Sequence, residues 1–311
     1  MSASPSALRS PDAYRRMCVL SLWALCAIIV TGAAVRLTGS GLGCTEWPTC
    51  AEGRVVAPLE YHAMIEFVNR LITGVVSVAV IVAVAGSVVR IPRRRDLTRW
   101  SLGLVVGVLA QIVIGAFVVR SDLEYSVVAL HFLVSMVLVA AAVVLVHRSS
   151  TPDDEEPRRW AGWARALVGA CVAVLVSGPL VASAGPHPGA IEGAARDGGD
   201  LVLRRLPIDL VWVARIHSAT VWVFVLGVVV AAWRNRGRDP LLGRRLVDLL
   251  VVTVAQGALG YVQYFSGVPA FLVGIHVLGA TLMWVMTLRV AQISAGATAE
   301  SPEISPAVVP A

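Results

Sequence analysis

The fold is decided by residues 101–147, SLGLVVGVLAQIVIGAFVVRSDLEYSVVALHFLVSMVLVAAAVVLVH, in which two long apolar runs flank a short polar segment. A hydrocarbon core about 30 Å thick requires about 20 apolar residues of helix to cross it. Both runs have this length, and neither contains a proline. The stretch therefore predicts two membrane-spanning helices that are joined by a short connection outside the hydrocarbon.

Runs of the same size recur along the chain and predict an all-α polytopic membrane protein with eight transmembrane helices. Of the 311 residues, 57% are hydrophobic and 15% are charged, and the mean hydropathy is +0.76. These values lie outside the usual range of soluble domains. The predicted spans are residues 17–35, 64–89, 101–120, 126–147, 164–184, 213–233, 246–265 and 271–291.

The distribution of arginine predicts the orientation of the spans. All 26 basic residues are arginines: 18 lie on the side that holds both termini, seven lie on the opposite side, and Arg70 lies within a span. Because cytoplasmic loops carry the excess of basic residues, both termini are expected in the cytoplasm and the protein in the cell membrane. Since the arginines are not clustered on one face, nucleic acid is excluded as a partner.

An internal duplication predicts two four-helix bundles. Residues 111–131 match residues 256–276, each beginning with glutamine and ending with histidine, and Val-Thr-Gly at 30–32 recurs as Val-Ser-Gly at 176–178. A duplicated unit with an even number of spans keeps its orientation, so the halves are expected to be parallel repeats about an axis along the membrane normal. Both glutamines are expected to bond across helices. The predicted divisions are an N-terminal tail, a first half, a cytoplasmic linker, a second half and a tail with no reason to fold, at residues 1–16, 17–148, 149–163, 164–291 and 292–311.

Three histidines lie within predicted spans rather than at a span end as His147 does, and an ionisable group there is costly and is a functional candidate. They are His131, His217 and His276, each near the outer end of an even-numbered helix, so they share one depth in the membrane. His217 and His276 belong to the same half, and neutral imidazoles on facing helices can bind one heme iron from both sides. The alternative interpretation is that each histidine only bonds to a neighbouring carbonyl.

Polar residues near the outer start of the second span form another candidate cluster. Glu66 and Arg70 are one helical turn apart, a spacing that favours a simple ion pair; alternatively, the carboxylate faces a pocket above His131. Cys44 and Cys50 flank Thr-Glu-Trp-Pro-Thr in an outer, oxidising loop, where a turn can bring them within bridging distance. A bond between them would act as a structural staple or as a redox relay.

The loop motif GSGLGCTEWPTC at residues 39–50 and the helix motif IEFVNRL at residues 65–71 resemble those of the heme A synthase family, and the similarity runs over about residues 17–289. The resemblance implies an oxidoreductase that oxidises a ring methyl of heme O to a formyl group by successive hydroxylations, for cytochrome oxidase biogenesis. The implied partners are heme O as substrate, membrane lipid, an electron acceptor, heme O synthase and cytochrome oxidase assembly factors.

The resemblance also implies two heme sites. A heme b cofactor would be held in the second half by His217 and His276. In the family, the substrate heme lies between two histidines of the first half, of which this chain has only His131. At the other position it has Asn69, whose amide is a poor iron ligand. His62, about two turns earlier, is a substitute only if the helix extends that far.

Further implied roles concern the outer end of the first half. Glu66 matches the family's acidic residue near the reacting methyl and is expected to be catalytic. The heme propionates would require an outer cation such as Arg70 or Arg36. Cys44 and Cys50 match the family's outer-loop disulfide.

Two functions of other classes are compatible with parts of the pattern. A b-type heme electron-transfer membrane protein would use the same histidines without modifying heme, although such a protein ordinarily places its hemes at two depths. A transporter built from repeats would have helices interrupted by Gly or Pro, and Pro179 is the only proline inside a predicted span. Neither alternative accounts for the Cys44/Cys50 loop beside Glu66.

Overall fold

The structure is a computed structural model that describes residues 9–44, 46–51, 53–152, 159–191, 195–196, 199–200 and 202–297. Within these ranges, eight helices are long and apolar enough to cross a membrane, which confirms the predicted number. The helices are α1 (Pro11–Leu37), α2 (Tyr61–Val89), α3 (Arg95–Arg120), α4 (Tyr125–Ser150), α5 (Gly162–Ala184), α6 (Leu210–Arg234), α7 (Pro240–Phe265) and α8 (Ala270–Ala297). Two short antiparallel strands lie between α5 and α6 in the sequence, β1 (Ala195–Arg196) and β2 (Gly199–Asp200).

Several helices extend beyond the apolar runs because polar caps start them outside the hydrocarbon. The side chain of Ser10 accepts a backbone N–H of the first turn of α1, and Pro11 follows it. Asp239 and Pro240 start α7 in the same way. Consequently, α1 begins at Pro11 rather than at residue 17, and part of the predicted N-terminal tail is helical.

The predicted tails and linker lie partly outside the described residues. These parts are residues 1–8, 153–158 and 298–311. At the other end of the chain, α8 continues to Ala297, six residues beyond the predicted span that ends at residue 291. A hydropathy run marks only the apolar part of a helix, and a helix can continue into the polar interface.

The two halves have the same order of neighbours. In the first half α1 and α3 each contact both α2 and α4, and in the second half α5 and α7 each contact both α6 and α8. The halves meet where α8 packs against α1 and α4, and where α4 packs against α5. This order is the one expected for a duplicated four-helix unit, and the axis that relates the halves stays a prediction.

Hydrogen bonds join the halves both within the bundle and at its outer end. Within the bundle, the indole N–H of Trp284 on α8 donates to the carbonyl of Met136 on α4 at 2.9 Å. At the outer end, the N–H of Gly41 donates to the carbonyl of Gly189 at 2.8 Å, which ties the α1–α2 loop to the α5–α6 loop. The outer loops of the two halves therefore support one another.

Apolar side chains cover the sides of the helix bundle that face away from its core. Trp212, Trp222 and Leu226 on α6 are 60–63% exposed, while Leu97 on α3 and Leu145 on α4 are fully buried. A large apolar surface on the outside is costly in water and favourable against lipid. The chain is a multi-pass membrane protein.

Candidate functional site

The second half brings the rings of its two intramembrane histidines close together. His217 on α6 and His276 on α8 have ring centroids 6.4 Å apart and ring planes 70° apart. Two imidazoles that bind one metal ion from opposite sides have ring centroids about 6 Å apart, because two metal–nitrogen bonds of about 2 Å add to two ring radii of about 1 Å. The observed separation therefore fits two imidazoles that bind one metal ion from opposite sides.

Hydrogen bonds determine which nitrogen atoms of these rings are available. Nδ1 of His217 bonds to the hydroxyl of Ser177 at 2.8 Å, which leaves Nε2 for a ligand. Nδ1 atoms of His131 and His276 are buried and have no hydrogen-bond partner among the described residues. Buried polar atoms are normally paired, so two imidazoles with such atoms fit a site that is completed by a bound group. The donor chemistry suits heme iron.

Each intramembrane histidine rests on a glycine of the preceding helix. The pairs are His131 with Gly115, His217 with Gly178 and His276 with Gly260. A Cβ added to any of these glycines would lie 3.3–3.7 Å from Cε1 of the ring. At Gly260 the absence of a side chain makes room for the ring, whereas at Gly115 and Gly178 an added Cβ would be in ordinary van der Waals contact.

The two repeated glutamines hold the histidine-bearing helices in place. Nε2 of Gln111 on α3 donates to the carbonyl of His131 on α4 at 3.0 Å, and Gln256 on α7 donates to the carbonyl of His276 on α8. The predicted bonds across helices are confirmed. These two bonds hold the helix that carries each histidine, and they do not involve the imidazole ring.

Asn69 takes the place in the first half that His217 takes in the second. Thr31, which the repeat matches to Ser177, donates from Oγ1 to Oδ1 of Asn69 at 2.9 Å. Helix α2 begins at Tyr61 and does include His62, but Nδ1 of His62 bonds to Ser40 in the outer loop at 2.9 Å. His62 also lies about 10 Å farther out along the helix than Asn69, at 1.5 Å per residue.

Glu66 and Arg70 form an ion pair, which is the simpler of the two predicted interpretations. Nη2 of Arg70 lies 2.6 Å from Oε1 of Glu66, whose side chain is only 7% exposed. Oε2 accepts the backbone N–H of Cys44 at 2.8 Å. Both carboxylate oxygens are therefore engaged, and Glu66 fixes the start of the disulfide loop against α2.

Arg70 holds the other end of the same loop. Its Nη1 donates to the carbonyls of Thr49 at 2.9 Å and Glu46 at 3.2 Å, and Nη2 also reaches Glu46. With Nε bonded to Glu66, every nitrogen of the guanidinium has a partner. Arg36 likewise donates to carbonyls, those of His187 and Ala182 at 2.9 Å. A propionate role for either arginine stays a prediction and requires these bonds to exchange.

The predicted disulfide between Cys44 and Cys50 is present, and both residues are buried. Their cluster packs on Ala57 and on Ala63 at the start of α2. The other three cysteines, Cys18, Cys26 and Cys171, are free and buried in helices, as their apolar surroundings in the sequence indicate. Because Glu66 and Arg70 anchor the loop on both sides, this geometry suits a structural staple.

A groove between α1 and α2 opens beside Asn69. It has a volume of about 490 Å³, within the range of small-molecule sites. Its lining is mainly apolar, with Val35, Ile65 and Ile72 among its residues, and Thr31 and Asn69 supply polar atoms. Sequence reasoning missed Thr31, although its match to Ser177 within the repeat was the signal that could have identified it.

Most of the chain matches a known protein family. The family model described as cytochrome oxidase assembly protein, COX15-CtaA, matches residues 15–63 and 56–288. A heme A synthase of Lysinibacillus sphaericus is 33% identical over 119 residues, 38% of this chain and 39% of the relative. One from Alkalihalophilus pseudofirmus is 27% identical over 50% of this chain and 54% of the relative. One from Halalkalibacterium halodurans is 24% identical over 65% of this chain and 78% of the relative. The chain thus spans about two fifths to half of the length of the first two.

Proposed function

The chain belongs to the COX15-CtaA family of cytochrome oxidase assembly proteins, and from this premise we propose that it is a heme A synthase, an oxidoreductase that converts heme O into heme A. The observation that carries the proposal is the facing pair His217 and His276, at a spacing that suits a heme iron. Relatives named heme A synthase, matched over 39–78% of their length, support it.

The second half is proposed to hold a heme b cofactor. Nε2 of His217 is available because Ser177 bonds to Nδ1. Gln256 donates to the backbone carbonyl of His276 and so holds its helix. These contacts hold two neutral imidazoles in facing positions before any group binds, which lowers the cost of ordering them. When bound, the heme supplies one-electron redox chemistry, with a potential that depends on its ligands and burial.

The first half is proposed to bind the substrate heme O. His131 is its secure ligand, held on α4 by Gln111 and resting on Gly115. The apolar groove between α1 and α2 suits the long isoprenoid tail of heme O, because its apolar lining lies beside the polar Thr31 and Asn69.

Glu66 is proposed as the catalytic carboxylate of the first half. Its bonds to Arg70 and to the N–H of Cys44 fix the position of the charge. A buried carboxylate that is held in place can stabilise positive charge that develops on a carbon during oxidation, because it requires no reorganisation. In this account the disulfide loop is a positioning element for Glu66.

The proposed location is the cell membrane, with both termini in the cytoplasm. The excess of arginine on the side of the termini supports this orientation. The hemes then lie toward the outer side, where the disulfide loop is oxidised. Proposed partners are heme O synthase as the source of substrate, cytochrome oxidase assembly factors as recipients of the product, and an electron acceptor.

The proposal is tested by expressing the chain with a source of heme O, purifying it and weighing the extracted hemes. Heme A is expected alongside heme b. His217→Ala and His276→Ala are expected to abolish a low-spin bis-histidine spectrum, because each removes one of two ligands. Recovery of heme b with unaltered heme O would contradict the synthase and favour an electron carrier.

A further inference from the structure

Asn69 differs from its counterpart His217 in the kind of atom that it presents. In the second half, Ser177 engages Nδ1 of His217 and leaves a nitrogen lone pair available. In the first half, Thr31 engages Oδ1 of Asn69 and leaves the amide NH2. An amide nitrogen has two N–H donors and no lone pair for a metal. The bond from Thr31 therefore leaves a hydrogen-bond donor available in the first half, whereas the bond from Ser177 leaves a metal-binding nitrogen available in the second half.

The orientation of the Asn69 amide follows from the single hydrogen of the Thr31 hydroxyl. Oγ1 of Thr31 lies 2.9 Å from Oδ1 of Asn69 and 3.3 Å from the carbonyl of Ile28. The shorter contact is the stronger hydrogen bond. With Oδ1 accepting, Nδ2 has no hydrogen-bond partner among the described residues, and Asn69 lines the groove between α1 and α2.

The space beside Gly32 differs from that beside the three glycines that contact histidines. Gly115, Gly178 and Gly260 each lie against an imidazole ring. Gly32, which the repeat matches to Gly178, would meet no atom within 4 Å of an added Cβ. Where the second half packs His217 against Gly178, the first half has a shorter side chain and open space.

We propose that Asn69 is a hydrogen-bond donor to a small ligand rather than an iron ligand, so that the first-half site has one protein ligand, His131, and one open position. This inference rests on the proposed function. The ligand would be small enough for the space beside Gly32, and it would carry an atom that accepts a hydrogen bond. Water and diatomic molecules have this chemistry. Thr31 is the positioning residue that aims the amide.

The test uses carbon monoxide as the probe on the purified full chain, loaded with heme and reduced. We expect carbon monoxide to bind about half of the heme, because the bis-histidine site of the second half has no open position. The double variant His217→Ala/His276→Ala retains only the first-half heme, and its heme content shows whether that half binds heme at all.

Three variants separate the role of Asn69 from a general effect on folding. Asn69→His is expected to abolish carbon monoxide binding and give a six-coordinate spectrum, because an imidazole fills the space and binds the iron. Asn69→Leu keeps the space closed to bulk water but removes the donor, so it is expected to raise the C–O stretching frequency and release carbon monoxide about tenfold faster. Ser77→Ala, on the same helix as Asn69 and with a hydroxyl that donates to the carbonyl of Thr73 within that helix, is the control and is expected to leave both quantities unchanged.

The possible failures are distinguishable. A wild-type protein that binds heme in both halves but no carbon monoxide would overturn the inference and leave the proposed function standing. An unchanged C–O stretching frequency in Asn69→Leu would overturn the donor role. A double variant that contains no heme would overturn the proposed function itself.

Discussion

Glu66 and Asn69 lie one turn apart on α2, and their side chains have different partners. Both oxygens of Glu66 are bonded, one to Arg70 and the other to the N–H of Cys44. Among the described residues, Thr31 is the only hydrogen-bond partner of the Asn69 side chain, and it contacts Oδ1. A fixed charge and a donor with a free N–H are therefore placed on one helix of the same half. Each can be removed without changing the other.

Glu66→Gln tests the charge at the residue scale. The amide keeps the size of the side chain and can still accept the N–H of Cys44, but it removes the negative charge. Loss of one fixed electrostatic group of this kind lowers a turnover rate by about 10²–10³-fold, so heme A formation is expected to fall accordingly, as measured by mass spectrometry of extracted heme.

The matched control for this change is Glu46→Gln. Glu46 belongs to the same disulfide loop and accepts hydrogen bonds from Thr49 and Gly53. Its replacement is expected to leave heme A formation within about twofold of wild type, because the new amide oxygen can still accept these hydrogen bonds and the loop keeps its disulfide. Equal losses in both variants would mean that Glu66 acts only by stabilising the loop.

At the scale of single helices, each of the three histidines is contacted by the helix that precedes its own. An odd-numbered helix contributes the glycine against which the ring rests and, for His131 and His276, the glutamine that bonds the histidine's carbonyl. The following even-numbered helix contributes the histidine. These contacts predict that small changes on α7 alter heme binding on α8.

Gly260→Ala tests this dependence. A Cβ at this position would lie 3.3 Å from Cε1 of His276, so the ring must shift. Overpacking costs about 1 kcal/mol or more, which corresponds to heme binding that is weaker by about fivefold or more in the second half. Heme titration measures this value. Gly257→Ala, on the same helix with no atom within 4 Å of the new Cβ, is the control and is expected to bind heme as wild type does.

The disulfide loop is an element whose covalent state can be measured directly. Protein isolated without reductant is expected to yield a Cys44–Cys50 peptide lighter by the mass of two hydrogens, because the two residues are bonded and buried. Peptide mass spectrometry before and after reduction checks this. If both thiols are alkylated without reduction, neither a staple nor a relay operates here.

At the scale of the whole molecule, the spans and the histidine positions could be predicted from the sequence. The hydrocarbon requires long apolar runs, and the duplication marks His131 and His276 at matched places. The helix bounds were less predictable, because caps such as Ser10 start a helix outside its apolar run. The sequence also could not reveal that Arg70 bonds to the carbonyls of Thr49 and Glu46, since backbone contacts depend on how the loop folds.

The orientation of the molecule is tested with fusion reporters. Reporters at both termini and in the loops around Arg93 and Arg236 are expected to be active in the cytoplasm, because arginine is enriched on that side. A reporter at residue 50 is expected on the opposite side, in keeping with the oxidised loop. Cytoplasmic activity at residue 50 would reverse the assigned topology.

The proposed function assigns the substrate heme to the first half and the heme cofactor to the second half. His131 belongs to the first half, where its ring rests on Gly115, whereas the rings of His217 and His276 lie close together in the second half. The measurement is heme A content together with the low-spin heme spectrum in purified His131→Ala. We predict that heme A is lost while the low-spin spectrum of the second half remains. Formation of heme A at the normal rate in this variant would contradict the account.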